Sequence, residues 1–158
     1  MINYWIFKCN PNKFSLWKRL ENSEAETTWQ VDKQYKNKIM KGDTAFIWRA
    51  ARNVGIVAVM RVDSIPYDFE EFPHEIKYYR KRGKEKPDIG KRLRVKGIFL
   101  GRCRIVRSKE IRKDGSLEPM SALKAQRGTN FELTEKQGKI LMSLFEKRKD
   151  TMVYTAGN

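Results

Sequence analysis

The chain has 158 residues, 40% of them apolar and 34% charged, and a net charge of +15. At that length it reads as one domain able to bury a genuine core, hiding roughly 70% of its unfolded surface. No apolar run approaches the ~20 residues of a membrane span. The N-terminal apolar stretch is too short and too early for a signal peptide, so the expectation is a cytoplasmic protein, or a nuclear one in a eukaryote.

In chain order, "NYWIFKCN" (3–10) predicts a first strand, with Tyr4, Ile6 and Lys8 on one face and Trp5, Phe7 and Cys9 on the other. Asn10 is the expected cap and Pro11 the first position of a helix, "PNKFSLWKRLE", with Phe14, Trp17 and Leu20 on its core stripe. "ENSEAETT" (21–28) predicts a polar loop, and Trp29 follows it ahead of any regular element. Asp32 is placed to cap a short helix, "KQYKNKIMK", with Tyr35 and Ile39 inward and Gly42 ending it. "TAFIWRA" (44–50) and "GIVAVMRVDS" (55–64) predict paired strands, the second central because it is apolar on both faces. Residues 66–91 read as a loop with a short helical piece. "KRLRVKGIFLGRCRIV" (91–106) returns to a strand pattern, with Arg92, Arg94 and Lys96 on a basic outer face and Leu93, Val95 and Gly97 opposite. Asp114-Gly115 marks a tight turn. Thr134 and Gln137 form a capping box for a last helix, whose buried stripe is Ile140, Leu141, Leu144 and Phe145. This gives an α+β fold, or a mixed barrel with helices outside, over residues 1–149, followed by a loose tail, 150–158.

The charge is uneven. From Lys77 to Lys113, sixteen Lys/Arg stand against three acids (Glu85, Asp88 and Glu110), a net +13 in about a quarter of the chain. Such a block favours nucleic acid as partner, and the absence of a basic helix with a clean apolar face argues against a membrane. Lys91, Arg92, Arg94, Lys96, Arg112 and Lys113 are its candidate phosphate ligands. Trp29 and Trp48 bracket a separate basic segment, either as core or as walls of a pocket for a flat ligand carried on a polyanion.

Signals for catalysis are sparse. His74, among Glu70, Glu71 and Glu75, reads as a surface histidine. Cys9 and Cys103 read as buried free thiols, and one histidine with two distant cysteines does not make a structural zinc site. The chain has neither a G-x-x-x-x-G-K-[ST] phosphate loop nor a G-x-G-x-x-G turn. A binding module with no metal and no cofactor fits better than an enzyme.

Four stretches taken together, "YWIFKCNP", the W-x-V at 29–31, "MKGDTAFIWRA…GIVAVMRV" and "RGTNFELTEKQ", resemble the EVE domain. That PUA-like family is related to the YTH readers of N6-methyladenine in RNA, and the resemblance runs from about Tyr4 to Phe145. It implies a PUA-like mixed β-barrel flanked by helices, which captures a modified base, flipped out of DNA or exposed in RNA, in an aromatic-lined pocket. It implies that Trp29 stacks on the base, that Gln30 lies where main-chain groups contact the base edge, and that Asn10 hydrogen-bonds that edge with Lys8 beside it. Tyr35 falls at a pocket or phosphate contact, Arg49 toward phosphate, and Asp114 in a turn near the ligand; further walls come from among Tyr67, Phe69 and Phe72. EVE domains occur alone and as specificity modules of modification-dependent restriction nucleases, which makes a fused or associated nuclease a candidate partner. The resulting expectation is non-catalytic nucleic-acid binding, DNA favoured over RNA. The alternatives are a YTH-like or PUA-like RNA-binding reader or accessory factor, and an enzyme acting on a small molecule or nucleobase in the same pocket.

Overall fold

The alternation in "YWIFKC" sends Trp5, Phe7 and Cys9 to one side of a sheet and Ile6 to the other, and two cores grow from that split. The computed structural model describes residues 2–51, 54–81, 86–117, 120, 123 and 128–155. Among them the strands are β1 (Tyr4–Cys9), β2 (Glu26–Gln30), β3 (Thr44–Arg49), β4 (Gly55–Val62), β5 (Tyr67–Phe69), β6 (Arg92–Arg107) and β7 (Asn130–Leu133). The helices are α1 (Leu16–Glu21), α2 (Pro73–Ile76), α3 (Ser108–Arg112) and α4 (Glu135–Arg148), with a 3-10 turn at Lys33–Tyr35.

The strands run in the order β2-β6-β4-β3-β1-β7, and β5 adds to β6. Only β1 and β3 pair in parallel; the other ladders are antiparallel. β4 is central, as its two apolar faces require, and seven of its eight residues are buried. One core holds Trp5, Phe7, Leu20, Trp29 and Val95; the other holds Ile6, Phe46, Trp48, Leu141 and Phe145. α4 covers the second core, and both halves of its Thr134–Gln137 capping box form, at 3.0 and 3.1 Å.

The α+β class stands, but the sheet is open rather than a closed barrel. Its edge strands β2 and β7 share no ladder and are clasped by side chains. Asn130 Nδ2 donates to the Gln30 carbonyl (3.1 Å), Asn130 Oδ1 accepts from the Asp32 N–H (2.7 Å), and Asp32 Oδ2 accepts from the N–H groups of Thr129 (3.2 Å) and Asn130 (3.3 Å). Asp32 therefore binds the opposite edge, and its side chain caps no helix.

Several local expectations change for physical reasons. Asn10 Oδ1 accepts from the Asn12 N–H (2.9 Å), a local turn that delays the first helix to Leu16. That helix buries Leu16, Arg19 and Leu20, while Trp17 stays 38% exposed. Trp29 lies inside β2 rather than ahead of it, because residues 26–30 find a partner in β6. The helix expected at 33–41 is a single 3-10 turn; Gly42, at φ 96°, ends the segment and delivers the buried Asp43. That carboxylate accepts from Asn3 N (3.1 Å), Met40 N (2.9 Å) and Trp5 Nε1 (2.9 Å), which accounts physically for the "MKGD" stretch. The tail expected to be loose is tied down as far as Thr155: Tyr154 packs on Phe99 and donates to the Leu20 carbonyl, and Thr155 bridges Glu24. Among the described residues no helix is long and apolar enough to cross a membrane.

Asn130→Ala removes the partner of the half-buried Gln30 carbonyl and Asp32 N–H. It should cost about 2–4 kcal/mol, read as a lowered urea midpoint with little change in m-value. An unchanged midpoint would show that the clasp contributes nothing to stability.

Candidate functional site

The end of β1, the edge of β2, the segment around α2 and the start of β6 surround a cleft of about 930 Å³. β2 is an edge strand, so Thr27, Thr28, Trp29 and Gln30 all border the opening. Trp29 forms one wall. Only 9% of it is exposed, since it packs on Phe7 (ring centroids 6.2 Å apart, planes at 29°) and its Nε1 donates to the Lys8 carbonyl (3.3 Å).

The floor is ionic and buried. Glu71 accepts from the hydroxyls of Thr28 and Tyr79, from Phe72 N (2.9 Å) and from Arg94 Nη1 (3.3 Å). Arg94 also donates to the carbonyls of Phe69 (3.2 Å), Asp88 (2.8 Å) and Gly90 (3.1 Å). Glu75 accepts from Arg19 Nε (2.8 Å), and Arg19 Nη2 reaches the carbonyls of Glu24 (2.9 Å) and Glu26 (2.8 Å). Burial pushes the Glu75 carboxyl above its ordinary range against the pull of Arg19. It also pushes the Tyr79 phenol well up, an effect that the charge of Glu71 reinforces. Each acid of the lining has its own arginine: Arg94 for Glu71, Arg19 for Glu75 and Arg92 for Asp88 (2.8 Å). Lys8, Lys13, Arg80 and Lys86 therefore leave the mouth net positive. Burial lowers the pKa of Lys8, whose ammonium sits 4.7 Å from the centre of the Phe131 ring.

Of the residues singled out in the sequence, Lys8, Asn10, Trp29, Gln30, Arg92 and Arg94 line this cleft. Arg94 is 1% exposed and engaged by four acceptors, so it braces the floor instead of presenting a charge, and the outer face expected for it is an inner one. Trp48 is buried in the second core. Tyr35 packs edge-on against Trp5 at 5.1 Å. Asp114 closes its own turn by accepting from Ser116 N (2.8 Å). Arg49 ends β3 next to Ala50, a lining residue. Lys91 is exposed nearby, and Lys96 lies 5.8 Å from the Tyr67 ring centre. Arg112 and Lys113 lie beyond the far end of β6, where Arg112 donates to the Leu123 carbonyl (2.7 Å). The basic block is thus divided along a 16-residue strand. Sequence reasoning missed Thr28, Glu71, Tyr79 and the rim cation Lys13; it included Arg80 in the basic block without singling it out. The available signal was two acids, Glu71 and Glu75, in a segment that also holds Phe72 and Pro73. Among the described residues no His/Cys/Asp/Glu group assembles a metal site.

A family profile described as the EVE domain matches residues 3–144. The chain belongs to the EVE domain family. Similar solved structures include Rpa0253 from Rhodopseudomonas palustris (TM-score 0.65, 17% identity, covering 90% of this chain and 92% of that one). Another is human THYN1 in complex with DNA containing 5-methylcytosine (TM-score 0.63, 19% identity, 92% and 99% covered). A third is a mutant ASCH protein from Zymomonas mobilis (TM-score 0.57, 7% identity, 89% and 95% covered). At these identities the neighbours establish the fold of this EVE domain. No functionally curated protein matches the chain significantly.

Both cysteines of the EVE domain are free and buried, and burial pushes each thiol up to about 12. Cys9 lines the cleft and Cys103 donates weakly to the Ile56 carbonyl. In native protein at about pH 8 both should resist iodoacetamide, because the thiolate is the nucleophile. Denaturant should make both alkylate, as counted by mass spectrometry. Rapid native labelling of Cys9 would mean that the cleft opens deeper than the structure shows.

Proposed function

We propose that the cleft binds nucleic acid and holds a single modified base, flipped from duplex DNA or exposed in RNA, without chemistry of its own. The observation that carries this reading is the convergence of Trp29, Asn10 and Gln30 with a cationic mouth in one cleft. Its volume lies at the upper end of the 300–1,000 Å³ typical of ligand sites, room for a base with its sugar and phosphate. Lys8, Lys13, Arg80, Lys86 and Arg92 supply phosphate contacts at the mouth, and Arg94 supports the floor. EVE domains are in general binding domains, and the complex of human THYN1 with 5-methylcytosine DNA supports DNA as partner.

The test is equilibrium binding to one oligonucleotide carrying cytosine, 5-methylcytosine, 5-hydroxymethylcytosine, adenine or N6-methyladenine, as DNA and as RNA. One modified form should bind about tenfold tighter than its parent base, since a single methyl-sized group is worth ~1–3 kcal/mol in a pocket. Contact with about five phosphates should give a slope of roughly −4 to −5 for log K against log salt on duplex DNA. Lys13→Glu should weaken all sequences alike without moving the preference. A flat salt response and equal affinity for every oligonucleotide would refute the proposal.

Glu75, a carboxyl raised by burial in the cleft lining, favours a second reading as an enzyme on a small molecule or nucleobase. Prolonged incubation with modified nucleosides and oligonucleotides, followed by mass spectrometry, should return them unchanged. Product formation lost in Glu75→Gln would establish the enzyme.

A further inference from the structure

The floor of the cleft has a fixed hydrogen-bond polarity. Thr28 Oγ1 and Phe72 N donate to one oxygen of Glu71, and Tyr79 Oη and Arg94 Nη1 donate to the other. An ionised carboxylate only accepts. Both hydroxyl protons are therefore committed to Glu71, and each hydroxyl oxygen turns only lone pairs elsewhere, Arg94 sharing those of Tyr79. Gln30 is fixed in the same way: its Nε2 donates to Asp88 Oδ2 (2.5 Å), so Oε1 is its accepting end. Thr28, Gln30 and Tyr79 all line the cleft. The charged donors Lys13, Arg80 and Lys86 line it too, as does Asn10, whose Oδ1 accepts from Asn12 N and whose amide is therefore a donor, but none of these four belongs to the buried network around Glu71.

We propose that this floor selects the base by an exocyclic amino group: it accepts cytosine- and adenine-type bases and rejects those with a carbonyl at that position, such as thymine and uracil. The inference rests on the reading of the cleft as a base pocket and adds which edge feature is read. Cytosine N4 and adenine N6 are donors, whereas thymine O4 and guanine O6 are acceptors. A carbonyl set against three committed acceptors makes no bond and leaves them desolvated. A site built around a hydrogen bond rejects the analogue lacking it far more sharply than an apolar pocket rejects a methyl group. Tyr79, with its phenol pushed up by burial, keeps its proton and hence its polarity over the whole working range of pH.

The experiment uses the full chain and a single-stranded oligonucleotide with one variable position, filled by 5-methylcytosine, thymine, cytosine, uracil, adenine or an abasic site. 5-Methylcytosine should bind at least about tenfold tighter than thymine, which has nearly the same shape. Cytosine should exceed uracil in the same sense. Tyr79→Phe and Thr28→Val, each shown to fold by circular dichroism, should narrow that ratio several-fold by weakening the amino-bearing base. Their salt slopes should stay as in the wild type. If thymine binds as well as 5-methylcytosine while the abasic oligonucleotide binds poorly, this inference fails and the base pocket stands. Equal binding of every oligonucleotide, the abasic one included, overturns both. An unchanged ratio in both folded variants overturns the assignment to these hydroxyls, and if neither folds, the wild-type ratio alone decides.

Discussion

The clasp between Asn130 and Asp32 is the constraint on which the cleft depends. A twisted sheet with two unpaired edges would let β2 drift away from β1, and Trp29 would then wall nothing. Asn130 is 1% exposed and fixes the end of β2 through the Gln30 carbonyl and the Asp32 N–H. Lys8 N donates to the Thr129 carbonyl (2.8 Å), which ties β1 to the same junction. The Trp29 indole completes it by donating to the Lys8 carbonyl. A few side-chain bonds do here what a continuous ladder does in a closed barrel. They also leave a gap between strands, and that gap is the cleft.

The floor raises a second physical question. Buried ion pairs are seldom stabilising against apolar replacements, because desolvating two charges costs several kcal/mol per ion. This chain nevertheless buries Arg19–Glu75 and Arg94–Glu71 with at most 3% of any side chain exposed. Both pairs carry extra hydrogen bonds that position backbone: Arg19 holds the carbonyls of Glu24 and Glu26, and Arg94 those of Phe69, Asp88 and Gly90. Among the described residues between Phe69 and Gly90 there is little regular structure beyond α2, and these bonds stand where a ladder would. Arg94 thus ties Phe69 to Asp88 and Gly90, and Arg19 ties α2 to β2, in keeping with the requirement that a recognition site be held by its supporting residues.

Much of the fold was legible in the sequence where one period dominates. β1, β3, β4 and the capped α4 follow directly from alternation and from the Thr134–Gln137 box. Failures came where tertiary partners decide. "ETTWQ" has no striking pattern and becomes a strand only because β6 pairs with it. "KQYKNKIMK" has helical spacing, yet it ends after one turn as the chain delivers Asp43 to its three donors. Arg94 looked like one of several outward charges. Its burial depends on Glu71, 23 positions away and across a segment with no readable period. Half the cleft was visible through Trp29, Gln30, Asn10 and Lys8. The other half, built on Glu71 and Tyr79, was hidden because a carboxylate's partners cannot be read from its neighbours in sequence.

Trp29 shapes the final step. With 9% of its surface exposed and one face committed to Phe7, it can offer a ligand only part of a ring. Base stacking is worth ~1–3 kcal/mol on an accessible aromatic, and a ring this buried supplies the lower end of that range. It is also indifferent to base identity, since every base has a π-face. The cationic mouth is equally indifferent, because phosphates carry no sequence. Under the proposed function, stacking and charge together favour an extruded nucleotide against the few kcal/mol that flipping costs, but they do not choose it. In the proposal made above, choice falls to the polar floor, where Arg19, Arg94, Glu71 and Glu75 hold a handful of hydroxyl and amide groups in one orientation. On that proposal the aromatic wall and basic rim provide affinity, and the buried carboxylates provide discrimination at one remove, by fixing which way their neighbours' protons point.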